Sequence, residues 1–295
     1  MPMQAARPAI NRLLRRGLYG APLAAVATLV LGPLAIMVMV SFWTRTGFSM
    51  KPDFSLAAYS TFLGSARLDI LLRSLWVASS ATLIMLLIAY PAAFLIARRV
   101  RADAVRTVLF LFAVPFLVNY VVRTFAWTEI LGRSGWVNTL LLNLGVIGAP
   151  LDWLLYSQFS VYLGLITAYM PFMVFPIWLS LSAIDPRLEQ ASWMLGETPR
   201  QTFWRITLPL SLPGVFAAAL FGFVGAFGEF AISTVLGGTG YQLLGNSVIS
   251  ALNVINYPLA AAISTFSVSV MGVLLLVWFK LFDLRLFLGK IMGRA

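Results

Sequence analysis

A single glutamate, Glu229, stands in an otherwise uncharged apolar stretch of the sequence. It follows Ala218, Gly222 and Gly225 at spacings of four, three and four residues, so a helix would carry all four on one face. Small residues on such a face permit close helix packing in a membrane. A carboxylate there is costly unless it faces a cavity or a partner. Two roles fit Glu229: it meets a cation in a transport path, or it forms a structural ion pair with Arg123.

Three further side chains in or beside apolar segments are candidates for the same path. They are Asn119, Trp127 and Tyr169, each of which also suits packing or anchoring at the membrane interface. With Glu229, they form our predicted substrate path.

Histidine and cysteine are both absent from the sequence. Disulfides, thiolate or imidazole metal sites and nucleophiles activated by histidine are therefore excluded. With so few carboxylates in apolar segments, no catalytic cluster is evident. We expect a protein that is not an enzyme, has no metal site and binds no cofactor itself.

Composition indicates a membrane protein. Of the 295 residues, 60% are hydrophobic and 11% are charged, which lies outside the range of soluble domains. The formal charge is +11, but the basic residues sit at the edges of apolar runs and form no clustered basic face. The sequence therefore favours contact with membrane lipid and predicts no nucleic-acid partner.

Six segments are long and apolar enough to span a bilayer, which takes about 20 residues for a helix. They lie near 22–43, 74–97, 105–125, 159–181, 212–234 and 258–280. We predict an all-α integral membrane protein with six transmembrane helices in a single domain, residues 1–295.

The distribution of Lys and Arg predicts the orientation. If the N-terminus is cytoplasmic, 15 of the 21 basic residues fall in inside segments. These are Arg7, Arg12, Arg15, Arg16, Arg98, Arg99, Arg101, Arg106, Arg187, Arg200, Arg205, Lys280, Arg285, Lys290 and Arg294. Both termini are therefore predicted to be cytoplasmic. The longest outer connection, residues 126–158, is expected to be re-entrant or interfacial because it contains several tryptophans.

Residues 185–209, which we call the hook, are predicted to be cytoplasmic and differ from the rest of the chain. Asp185 can cap a helix that begins at a proline, and Gly196 allows a left-handed stop. Thr198 and Gln201 then form a capping box for a second short helix, which we expect to end near Pro209. The sequence predicts two short helices joined at a glycine.

The hook has an apolar side made by Leu188, by Ala191 or Ser192, and by Leu195. Such a side fits the groove of a partner protein. It equally fits an amphipathic segment lying among lipid headgroups, where tryptophan and arginine are common. These physical arguments leave both interpretations open.

The hook resembles the cytoplasmic loop with the "EAA" pattern found in binding-protein-dependent ABC importer permeases. That pattern is Glu-Ala-Ala, three residues, Gly, nine residues, then Ile-x-Leu-Pro. Gly196, Ile206, Leu208 and Pro209 match it, whereas the triplet reads Gln190, Ala191 and Ser192, with Glu189 one position early. Residues 121–141, 168–185 and 227–238 are also similar to spermidine/putrescine-type permeases.

The resemblance implies a type I ABC importer transmembrane domain in a bacterial inner membrane. Glu189, Gln190, Ala191, Ser192, Leu195 and Gly196 would couple it to the ATPase. The implied partners are a second permease subunit, two cytoplasmic ATPase subunits and an extracytoplasmic solute-binding protein. The sequence lacks a phosphate-binding G-x-x-x-x-G-K-[ST] loop, so ATP and Mg belong to the partner ATPase. The expected cargo is a polyamine or related organic cation; the alternative is an ion-coupled secondary transporter.

Overall fold

The computed structural model describes residues 7–64 and 67–281. Its longer helices are α1 (Arg7–Ser41), α3 (Arg67–Arg99), α4 (Val105–Leu117), α5 (Tyr120–Leu131), α7 (Gln158–Ser182), α10 (Leu208–Phe227), α12 (Leu244–Asn253) and α13 (Tyr257–Leu281). The shorter ones are α2 (Ala57–Leu63), α6 (Trp136–Asn143), a 3-10 turn (Asp152–Leu154), α8 (Pro186–Met194), α9 (Pro199–Thr202), a π turn (Phe203–Thr207) and α11 (Ala231–Gly237). A two-stranded antiparallel hairpin pairs β1 (Thr44–Thr46) with β2 (Ser49–Lys51).

Within the described residues, five helices are long and apolar enough to cross a membrane, or six if a bent pair counts as one span. The prediction of a helical, multi-span membrane protein is thereby confirmed. The termini that were predicted to be cytoplasmic, with Arg285, Lys290 and Arg294, lie outside the described residues.

The chain forms two compact units. One comprises Met1–Ser65 with Val248–Leu274, and the other comprises Ala66–Ser247 with Leu275–Ala295. In the first unit, Arg45 of the hairpin donates to the carbonyl of Val254 at 2.8 Å, and Ser41 and Tyr59 share a hydrogen bond of 2.7 Å. All the candidate site residues belong to the second unit.

Helices α3, α7 and α10 pack against one another and form the core of the second unit. The contact depends on small side chains: Ala78, Ala81, Ala89 and Ala93 of α3 are buried. At Gly214 of α10, a Cβ atom would collide with the backbone of α7, so only glycine permits this approach. Close packing of this kind holds membrane helices together because lipid supplies no hydrophobic driving force between them.

The predicted third span, 105–125, is wrong as a continuous helix. Helix α4 ends at Leu117, and the chain turns by 85° before continuing as α5 and α6. Val118 adopts an extended conformation, and the side chain of Asn119 accepts a hydrogen bond from Val121 N at 2.9 Å, so it caps α5. A capped start satisfies the donors that a broken helix exposes.

The predicted fifth span, 212–234, also differs from the structure. Helix α10 ends at Phe227 and α11 begins at Ala231, so Glu229 lies in a break between helices rather than on a continuous helical face. At its other end, α10 continues directly from the hook instead of starting after Pro209. Leu208 N bonds to Phe203 O, five residues back, and this wider turn accommodates the following proline, which has no N–H to donate.

Candidate functional site

Glu229 is buried, at 5% exposure, and three donors surround its carboxylate. One oxygen accepts from Ala231 N at 2.8 Å and from Ile232 N at 3.1 Å, and the other accepts from the Tyr169 hydroxyl at 2.7 Å. The two N–H groups are the first donors of α11, which have no partner within their own helix. Glu229 therefore stabilises the helix break and at the same time places a carboxylate in the interior.

A cavity of about 510 Å³ opens beside this carboxylate. The ends of α4 and α10, one face of α7, the start of α5 and both helix breaks form its walls. Its lining residues are Phe116, Val118, Asn119, Tyr120, Arg123, Ala168, Tyr169, Phe172, Gly225, Gly228, Glu229 and Phe230. We call this space the Glu229 cavity.

Both breaks are built in the same way. Asn119 at the first and Glu229 at the second accept from backbone N–H groups of the helix that follows. Irregular backbone at membrane depth is tolerated where it is buried in protein or lines a cavity, since its polar groups must be satisfied there. Two such breaks around one cavity are typical of a transport path.

The structure brings together three of the four predicted path residues: Asn119, Tyr169 and Glu229 all line the cavity. Trp127 does not; its ring nitrogen donates to Thr167 at 3.2 Å and so joins α5 to α7. Arg123 forms no ion pair with Glu229, which argues against the structural alternative. Instead, its guanidinium donates to the carbonyl of Pro115 and lies 4.7 Å from the centre of the Phe116 ring.

The aromatic walls of the cavity were not predicted from the sequence. Phe116, Tyr120, Phe172 and Phe230 join Tyr169 there. Aromatic residues are frequent throughout the sequence, so only the two helix breaks could have singled these out.

The hook has the predicted caps. Asp185 accepts from Arg187 N at 2.9 Å, Thr198 and Gln201 form the capping box, and Gly196 has a φ of 86°. Inside the bend, Ser192 is buried and shares a hydrogen bond of 2.8 Å with Thr202. These contacts fix the angle between α8 and α9.

Glu197 ties the second half of the bend to the first. It accepts from Ser192 at 2.8 Å and from Arg205 at 2.5 Å. The Ser192 hydroxyl, and then Arg205, hold the pKa of this carboxyl below its ordinary value. Glu197 therefore stays ionised to a lower pH than a glutamate without these donors.

The apolar side of the hook faces away from this chain. Met194 is 89% exposed and Leu195 is 86% exposed, and Leu188, Trp193 and Trp204 are also exposed. Of the predicted coupling residues, Gln190, Ala191, Leu195 and Gly196 lie on the surface, whereas Ser192 is buried. An exposed apolar patch of this kind marks a contact with a protein or a membrane.

The side chain of Glu189 is directed toward α3 and the π turn of its own chain. Its carboxylate accepts from Arg98 of α3 at 2.7 Å and from Thr207 at 3.0 Å. The contact between Arg98 and the hook was not predicted from the sequence, because 91 positions separate Arg98 from Glu189.

The apolar spanning helices are broken at a cavity that holds a buried carboxylate, and a capped hook lies outside the core. These features indicate an integral membrane transport protein. A family model described as "Binding-protein-dependent transport system inner membrane component" matches residues 85–288. The chain belongs to this family: it is a multi-pass permease subunit of an ABC importer of the inner membrane and not an enzyme.

Named relatives cover most of the chain. The spermidine/putrescine transport system permease protein PotB of Escherichia coli strain K12 is 36% identical over 253 residues, which is 84% of this chain and 90% of the relative. The PotB protein of Haemophilus influenzae is 31% identical over 85% of this chain and 88% of its own length. The inner membrane ABC transporter permease protein YdcU of Escherichia coli is 32% identical over 78% of each chain.

Solved structures show the same fold. A chain of a bacterial ABC transporter that imports the acidic polysaccharide alginate superposes with a TM-score of 0.74 at 17% identity, covering 93% of this chain and 98% of that chain. A second structure of an alginate ABC transporter, in complex with a pentasaccharide-bound periplasmic protein, gives a TM-score of 0.73 at 17% identity, covering 97% and 98%. The predicted type I importer fold agrees with both.

Proposed function

We propose that this chain forms, with a second permease subunit, the translocation path of an ATP-driven importer for a polyamine or related organic cation. The observation that carries the proposal is the Glu229 cavity, in which two helix breaks meet at a buried carboxylate. The spermidine/putrescine permeases among the relatives support the same class of cargo.

The chemistry of the cavity suits an ammonium group. Glu229 is the one acidic side chain among the described lining residues, and five aromatic rings surround it. A carboxylate offsets part of the cost of dehydrating a cation, and aromatic faces attract cations. Arg123 also lines the cavity and would repel a cation at its own end, so it favours placement of an ammonium group beside Glu229.

The hook receives the ATPase in this proposal. Its exposed residues Met194 and Leu195 supply an apolar knob for a groove on a cytoplasmic ATPase subunit. Each of two ATPase subunits would bind ATP and Mg, and an extracytoplasmic solute-binding protein would deliver the cargo. The hook and both termini are then cytoplasmic, in agreement with the distribution of Lys and Arg.

Purification of the intact complex tests the assignment of partners. An importer requires an ATPase subunit to copurify with this chain in stoichiometric amount. An ion-coupled secondary transporter has no such requirement. A chain that remains folded and active in transport without any ATPase would contradict the proposal.

Replacement of Gly196 by proline should uncouple import from ATP hydrolysis. Proline fixes φ at about −65° and lacks an N–H. Gly196, in contrast, has a φ of 86° and donates to Trp193 O at 3.0 Å. The bend would therefore open while the spanning helices stay inserted. We expect ATP-dependent uptake in proteoliposomes to fall at least about tenfold, within the usual range of coupling energies.

Gly196→Asn is the matched control, because asparagine tolerates the left-handed conformation better than other side chains. It should retain most of the uptake. Normal uptake by Gly196→Pro would argue against a coupling role for the bend.

A further inference from the structure

The hook is fastened to α3 by a charge pair at the edge of the core. Arg98 Nη2 donates to Glu189 Oε1 at 2.7 Å, and each side chain is only 16% exposed. The hydroxyl of Thr207 donates to the same oxygen at 3.0 Å. One carboxylate oxygen thus joins α3, α8 and the π turn that leads into α10.

The guanidinium of Arg98 relies on Glu189 for its hydrogen bonding. Glu189 Oε1 is the one acceptor of its guanidinium among the described residues, and Nε of Arg98 is buried without a partner there. Removing one member of a shielded charge pair costs more than removing one member of an exposed pair, because the other charge is left poorly solvated. The pair is therefore unlike the exposed ion pair of Arg101 and Asp103 nearby on the chain.

Aromatic contacts support the pair without replacing it. Phe203 of the π turn packs edge-on against Tyr90 and Phe94 of α3, each with ring centroids 5.9 Å apart. Edge-to-face packing is favourable over a range of centroid distances, about 4.5–7 Å, whereas a charge-assisted hydrogen bond is short and directional. The ion pair therefore fixes the position of the hook along α3.

We propose that Arg98 and Glu189 are positioning residues that transmit movement of the hook to α3. This inference rests on the proposed function, in which an ATPase subunit moves the hook. Nucleotide can shift the conformational equilibrium of the spanning helices only if it interacts differently with their two states. The backbone joins the hook to α7 and α10, whereas the Arg98–Glu189 pair joins it to α3. Glu189 then acts within its own chain, and the exposed Gln190 next to it is left to face the partner.

A charge exchange tests the link. Arg98→Glu and Glu189→Arg should each lower the amount of labelled spermidine imported per ATP hydrolysed by about tenfold in proteoliposomes containing the whole complex, with hydrolysis retained. The double variant should recover to within about threefold of the wild type, since the exchanged charges can pair again. Arg99→Glu, an exposed neighbour with the same change of charge, should match the wild type.

Glu189→Gln serves if a reversed charge prevents assembly of the complex. It keeps an oxygen that accepts from Arg98 and Thr207 but removes the charge, so we expect about a threefold loss of import per ATP. Wild-type coupling in either reversed variant or in Glu189→Gln, or a double variant that recovers nothing, would overturn the inference. A wild-type complex that neither hydrolyses ATP nor imports cargo would instead contradict the proposed function.

Discussion

Glu229→Ala should yield little stable protein, whereas Glu229→Gln should fold and fail to import a cation. Alanine removes the acceptor for Ala231 N, Ile232 N and the Tyr169 hydroxyl. Each buried group left without a partner costs about 1–3 kcal/mol. The amide of glutamine can accept from both N–H groups and donate to the tyrosine oxygen, so it removes the charge alone.

Thermal denaturation in detergent and uptake in proteoliposomes separate these two effects. The melting temperature of Glu229→Gln should stay close to that of the wild type. Its uptake of labelled spermidine should fall at least about tenfold, equivalent to about 1.4 kcal/mol. ATP hydrolysis should continue, because the hook is unchanged.

Glu129→Gln provides the matched control, since Glu129 is exposed on α5 and does not line the cavity. It should import like the wild type. Equal uptake by Glu229→Gln and the wild type would show that the carboxylate only caps α11.

The double variant Met194→Asp, Leu195→Asp should fold normally and lose its ATPase partner. Neither side chain is packed within this chain, so surface substitutions here should change the free energy of unfolding by no more than about 0.5 kcal/mol. Docking would place two carboxylates in an apolar groove, and loss of a hot-spot residue at the centre of an interface costs about 2 kcal/mol or more. That loss corresponds to about a 30-fold weaker complex.

The yield of ATPase that copurifies with the tagged permease measures this loss. Leu144→Asp is the control, because Leu144 is also apolar and exposed but lies far along the chain from the hook, after α6. It should leave the yield unchanged. Full recovery of the ATPase by the double variant would exclude the apolar side of the hook as the docking surface.

Features set by neighbouring residues could be predicted from the sequence. The caps at Asp185 and Thr198 and the left-handed conformation at Gly196 depend on local backbone donors, and each is present in the structure. The six apolar segments likewise follow from length and hydropathy. Length and hydropathy do not predict where a helix breaks inside such a segment.

Features that depend on distant residues could not be predicted. The break at Glu229 forms because one carboxylate caps α11 and meets Tyr169, which is 60 positions away in the sequence. From composition alone, residues 212–234 were predicted to form one continuous helix. Alanine, phenylalanine and valine are compatible with a continuous helix and with a broken one. In the same way, the apolar periodicity of α8 did not indicate whether Leu195 covers its own chain or a partner; in the structure it is exposed.

The most direct test of the account is uptake of labelled putrescine and spermidine by proteoliposomes that contain the whole complex, the binding protein and a supply of ATP. We expect uptake that requires hydrolysable ATP, persists when a protonophore and a sodium ionophore remove the ion gradients, and falls sharply in Glu229→Gln. Uptake that continues without ATP and stops with either ionophore, or no uptake of either polyamine, would contradict the account.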